Sequence, residues 1–245
     1  MTDVPRGKAV VTASLALGVA VGLIGISFGV LAVANDLSLA QTCVMSVFVF
    51  TGASQFAFVG VIATGGSAAA AVGSGLLLAA RNGVYGLALA PVLQGPLGRR
   101  LLAAQFVIDE STAMATAQPD QPAQARAFWW SGLSIFVLWN AGTVIGALAG
   151  RALSDPAALG LDAAFPAGFV VLIGPHLRNR AGRQAAVLAA LVVLVTTPFL
   201  RPGVPILVAA LAILVGLRTP AQEPSQEPGP PAEAAEPGDR GEQQA

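Results

Sequence analysis

The chain has 245 residues, of which 55% are hydrophobic and only 11% charged, with a mean hydropathy of +0.71. An average soluble domain carries about 25% charged residues, so composition excludes that class and points to an all-α, polytopic bundle of transmembrane helices. The formal net charge of zero hides an asymmetry. Residues 219–245 hold six acidic side chains against Arg240, a net −5, which leaves residues 1–218 at +5. A basic body suits the cytoplasmic loops of a membrane protein and does not indicate nucleic acid.

The first apolar stretch, Val10–Ala34, follows Arg6 and Lys8. It is longer than a signal core, so it reads as an uncleaved first helix despite the small-residue run Ala32, Val33, Ala34. Next come Gln41–Thr64, then Ala68–Leu93 after the turn-rich Gly65 and Gly66. Leu101–Ala117 is a poorer candidate because Asp109 and Glu110 interrupt it. A polar loop over Gln118–Arg126 precedes Ala127–Ala149, and Ala163–Leu177, Gln184–Leu200 and Val204–Leu217 complete a set of seven or eight segments. Two of these are shorter than the 17–25 residues of a simple span, a sign of discontinuous helices. Gly52, Pro166, Gly174 and Pro175 are the candidate helix breaks. Residues 1–218 thus form a transmembrane domain, and residues 219–245, rich in Pro, Glu and Gln, a disordered acidic tail.

Basic residues favour a cytoplasmic N-terminus if eight segments cross. Arg99 and Arg100 oppose that scheme, and fit only if a neighbouring segment re-enters instead of spanning.

Arg81 stands in the middle of an otherwise uncharged stretch. A guanidinium does not lose its proton, and an intramembrane charge ordinarily marks a functional site. On a helix, Arg81 and Tyr85 share a face, with Asn82 three before Tyr85. Ser54 and Gln55 lie on the preceding segment. Ser54, Gln55, Arg81, Asn82 and Tyr85 therefore form the candidate substrate-binding set, in which the guanidinium fork suits a carboxylate. The alternative is a structural Arg81 bound to helix-end carbonyls, Asp109 or Glu110. Asp109 and Glu110 are candidates for proton or ion coupling, or else partners of Arg81 or Arg100.

Phe128, Trp129 and Trp130 read as an interfacial aromatic belt, and Asn140 as a residue that bridges helices. Lone Cys43 and lone His176 offer no metal site, and no cofactor is expected. No catalytic set is present: there is no Ser/His/Asp spacing, His-Glu-x-x-His run or Walker motif. The chain is not expected to be an enzyme.

The stretches Gly25–Gly29, Met45–Phe56, Arg81–Tyr85, Asp109-Glu110, Leu138–Thr143 and Gly160–Pro166 resemble the AzlC family, the large subunits of branched-chain amino acid exporters. The run Ser46 to Gln55, ending Gly-Ala-Ser-Gln, is the most specific match. Departures are Ala79 and Asn82 flanking the Arg81 motif, and Ile108 before Asp109. The resemblance implies a multi-pass cell-membrane permease that exports branched-chain amino acids by secondary transport, partnered by a small AzlD-like membrane protein. A non-transporting membrane scaffold, its buried charges binding a partner helix, is the alternative.

Overall fold

In the computed structural model, which describes residues 4–152, 174, 176–178 and 180–210, every regular element is a helix. Two are long and apolar enough to cross a membrane: α1 (Val4–Ala34) and α7 (Gln121–Ala152). They form the spine of the molecule, and glycines explain how. Gly18, Gly22, Gly25 and Gly29 of α1 lie against Ser134, Leu138, Trp139 and Thr143 of α7, while Gly142 and Gly146 answer from α7. Paired positions rise together along both helices, so α1 and α7 run parallel. Without side chains the backbones approach closely, as small residues allow between membrane helices. Ser134 Oγ adds a hydrogen bond to the Ser14 carbonyl, 2.8 Å long.

The segment Gln41–Thr64, expected as one span, is two half-length helices. Helix α2 (Leu39–Phe48) has 10 residues and α3 (Ala53–Ala63) has 11, about 15–17 Å each. They fold back on one another. Gln55 Nε2 donates to the Met45 carbonyl at 3.1 Å, although a continuous helix would hold these residues about 15 Å apart. Phe58 and Ile62 of α3 also line one cavity with Asn35, Leu37 and Gln41, so the end of α3 returns to the end of α1. Helix α2 runs against α7 in the opposite sense, with Ser46 Oγ 3.1 Å from Thr143 Oγ1 and Phe50 packed edge-on to Phe136 at 5.1 Å.

Gly52 makes this reversal. Its φ of 55° and ψ of −79° lie where a Cβ is unfavourable, beside the Trp139 ring. Gly52→Val is expected to cost about 1–3 kcal/mol, read as a lower melting temperature of the purified protein. An unchanged melting temperature would show that the turn does not need glycine.

Helix α4 (Ala68–Leu89) pairs with α3, Gly75 lying against Ser54, and carries the chain to the end from which α1 and α7 start. There a second reversal mirrors the first. Instead of one segment over Leu101–Ala117, the chain forms α5 (Leu97–Gln105) and α6 (Asp109–Thr116), broken at residues 106–108. Phe106 at the break packs against Gly132 and Phe136, 5.5 Å away, near the midpoint of α7. Helix α6 descends again, so that Gln118, Pro119 and Asp120 sit beside Gly7, Val10 and Arg126. Ser111 Oγ ties the break, accepting from Ile108 N at 3.2 Å and donating to the Phe106 carbonyl at 2.5 Å. The two hairpins meet tip to tip, where Gln105 Nε2 donates to the Val47 carbonyl at 2.6 Å.

Helices α1 and α4 are therefore each followed by a hairpin of half-length helices, α2–α3 and α5–α6, which enter the bundle from opposite ends. Lys8, Arg99, Arg100 and Arg126 come to one end of the bundle, the arrangement that re-entry was expected to allow. The loop read over Gln118–Arg126 is shorter than expected. Asp120 Oδ1 accepts from Ala123 N at 2.8 Å, starting α7 at Gln121 with Pro122 in its first turn, where a missing N–H costs nothing. Beyond α7, a 3-10 turn at His176–Arg178 leads to α8 (Arg180–Thr196) and α9 (Val204–Ala209). Gly203, at φ 88°, lets this end approach Val61 and Ala70. Pro166, Pro175, most of Ala163–Leu177 and the acidic tail lie outside the described residues. The Gly174 carbonyl accepts from Leu177 N.

Candidate functional site

Arg81 lies 13 residues into α4, about 20 Å from its start and about 9 Å beyond Gly75, where α4 touches the tip of the first hairpin. Its Nη2 is 2.6 Å from Asp109 Oδ2, with the two side chains 35% and 28% exposed. Among the described residues this is the one ion pair. Asp109 and Glu110 occupy the first turn of α6, where the positive end of the helix dipole favours carboxylates. Tyr85 lies one turn along α4 from Arg81, partly buried. The pairing of Arg81 with Asp109, offered from sequence as the alternative to a substrate site, is thus present.

The pair leaves hydrogen-bonding capacity unused. Arg81 Nε and Asn82 Oδ1 are buried without a partner among the described residues. A buried polar atom left unpaired costs free energy, so such groups mark where a ligand or water fits. The expected set is only partly brought together. Arg81 and Asp109 meet, with Tyr85 one turn along α4 and Glu110 next in α6, while Ser54 and Gln55 belong to the tip of the first hairpin. Both are fully buried. The Gln55 amide nitrogen serves the Met45 carbonyl, and its Oε1 and the Ser54 Oγ have no partner among the described residues.

Further unpaired groups surround the same region and were not singled out from sequence. They are Thr51 Oγ1, Ser74 Oγ, Thr112 Oγ1 and Trp139 Nε1. Ser74 carried a usable signal, since it precedes Arg81 by seven residues and so shares its helix face. Thr51 and Trp139 had none, because only the Gly52 turn gathers them. Trp139 stacks on Phe28 at 6.0 Å, with Phe56 edge-on at 6.2 Å, walling the first hairpin's tip with aromatic rings. Asn140 does not bridge helices; its Nδ2 donates to Phe136 of its own helix at 2.8 Å.

A family model described as AzlC protein matches residues 16–153, more than half of the chain. The chain belongs to the AzlC family. The matched region contains most of α1, all of α2 to α7, both hairpins and the Arg81–Asp109 pair. No curated protein and no solved structure gives a match. Membership makes this AzlC-family chain a membrane protein related to branched-chain amino acid transport.

Proposed function

We propose that this AzlC-family chain is the large subunit of a two-component secondary exporter of branched-chain amino acids in the cell membrane, working with a small AzlD-like membrane subunit. The observation that carries this reading is the Arg81–Asp109 pair held where two opposed half-length hairpins meet. Helices that stop halfway free backbone N–H and C=O groups at depth, and secondary transporters use such groups to bind substrate and coupling ion. Helices α3 and α6 each begin at the tip of a hairpin, and the first N–H groups of a helix have no partner within it.

In this reading the substrate carboxylate competes with Asp109 for the guanidinium fork. Arg81 Nε is an unfilled donor beside it, and Asn82 Oδ1 an unfilled acceptor for the substrate ammonium. Tyr85 lies within one turn for the ammonium, and Ser54, Gln55 and the aromatic rings of Phe28, Phe56 and Trp139 form the next station of the path, at the tip of the first hairpin. Asp109 and Glu110 couple transport to a proton or another cation. The basic end, with Lys8, Arg99, Arg100 and Arg126, faces the cytoplasm. The direction of transport follows the family resemblance.

The test is efflux of preloaded leucine, isoleucine and valine from cells expressing the chain with or without its AzlD-like neighbour, at several transmembrane pH gradients. Faster efflux requiring both products and changing with the gradient is expected. Efflux equal to that of empty cells, with both proteins present in the membrane, would overturn the reading.

A further inference from the structure

A cavity of about 650 Å³ opens between the second half of α4 and α5, within the 300–1,000 Å³ usual for small-ligand sites. Gly86, Ala90, Leu93, Arg100, Ala104 and Val107 are among its walls. Arg81 and Asp109 are not among its walls, but Gly86 follows Tyr85 in α4 and Val107 precedes Asp109 by two residues. Its outer part lies at the basic end of the bundle. Arg100 is the one charged side chain among the described lining residues. The neighbouring Arg99 is used differently, placing its guanidinium 5.9 Å from the centre of the Trp129 ring. Two adjacent arginines of equal charge therefore have separate tasks, one anchoring α5 to α7 and one facing the cavity.

We propose that this cavity is the entry vestibule through which an apolar, carboxylate-bearing substrate reaches Arg81, and that Arg100 is its specificity-determining residue for the carboxylate. The inference rests on the transport reading above and adds a second cationic station to it. A positive group in a partly enclosed mouth attracts the carboxylate end of a zwitterionic substrate and orients it inward. Leu93, Leu97 and Leu101 give an aliphatic side chain apolar surface to pass, beside the smaller Gly86, Ala90 and Ala104. A Cβ at Gly86 would meet nothing within 4 Å. A larger residue at this position fills open space without displacing its neighbours.

The experiment measures leucine uptake into everted membrane vesicles containing the chain and its AzlD-like neighbour. Arg100→Gln is expected to raise KM about five- to tenfold with little change in maximal rate, as losing a charge at the rim of a site does. Arg100→Lys should recover most of this, and Arg99→Gln should leave KM near wild type. Gly86→Leu should slow leucine uptake more than valine uptake at normal protein levels. An unchanged KM in Arg100→Gln, or an equal rise in Arg99→Gln, overturns the vestibule while leaving the transport reading intact. Absence of any leucine uptake by wild-type vesicles overturns the transport reading and this inference with it.

Discussion

Arg81→Ala is expected to abolish export of leucine, isoleucine and valine while the protein still reaches the membrane in normal amounts. The two halves of this result have separate causes. A charge-assisted hydrogen bond to a substrate carboxylate contributes about 1.5–3 kcal/mol, so its loss weakens binding by roughly ten- to 150-fold. Folding tolerates the change because the abandoned Asp109 carboxylate is 28% exposed and stays at the start of α6, where the helix dipole favours it. Arg81→Lys should retain only part of the activity, since a point charge cannot reproduce a planar fork. The charge exchange Arg81→Asp with Asp109→Arg separates the roles. If the pair only holds α4 to α6, the exchange restores transport; if Arg81 binds substrate, transport stays lost at a normal protein level. Normal export by a well-expressed Arg81→Ala protein would remove Arg81 from the substrate path.

The second large effect lies far from any charge. A Cβ added at Gly146 would run into the Ile26 carbonyl, and one at Gly142 into the Gly22 carbonyl. Backbone atoms cannot rotate away as side chains can, so α1 and α7 must separate. Overpacking a tight contact costs about 1–3 kcal/mol and sometimes more, and here the parting helices also lose contacts along their length. Gly146→Val is therefore expected to leave little folded protein after detergent extraction, measured by size-exclusion chromatography and thermal melting. Gly83→Ala is the control, because nothing lies within 4 Å of its added Cβ. It should melt at or slightly above the wild-type temperature, alanine being the better helix former. Equal behaviour of the two variants would mean that the α1–α7 approach contributes little to stability.

Some features were legible before any coordinates. Apolar length gave most of α1, all of α4 and the body of α7, since a run of apolar residues longer than the hydrocarbon core has few other ways to satisfy its backbone. Arg81 stood out because a fixed charge in such a run is costly, and Asp109 was named among its two acidic partners on the same ground. The break at Gly52 was also among the named positions. What hydropathy could not tell was that the chain reverses there. It counts apolar residues and carries no direction, so a straight span and a folded-back pair of half-helices look alike over Gln41–Thr64. The same blindness merged α5 and α6. At residues 118–126, two prolines and several polar residues suggested a loop, although Asp120 and Pro122 are equally the opening of a helix.

By itself, then, the sequence determined the class of the protein, its long helices and the identity of its one deeply placed cation. Those follow from transfer energies of individual residues, which are local properties. The tertiary structure decided that two hairpins re-enter from opposite ends, that Arg81 meets Asp109 across 28 positions of sequence, and that Ser54 and Gln55 stand apart from that pair. Those depend on glycine contacts such as Gly25 on Trp139 and Gly132 on Phe106, where the fit of two distant surfaces sets the geometry. No residue carries that information alone.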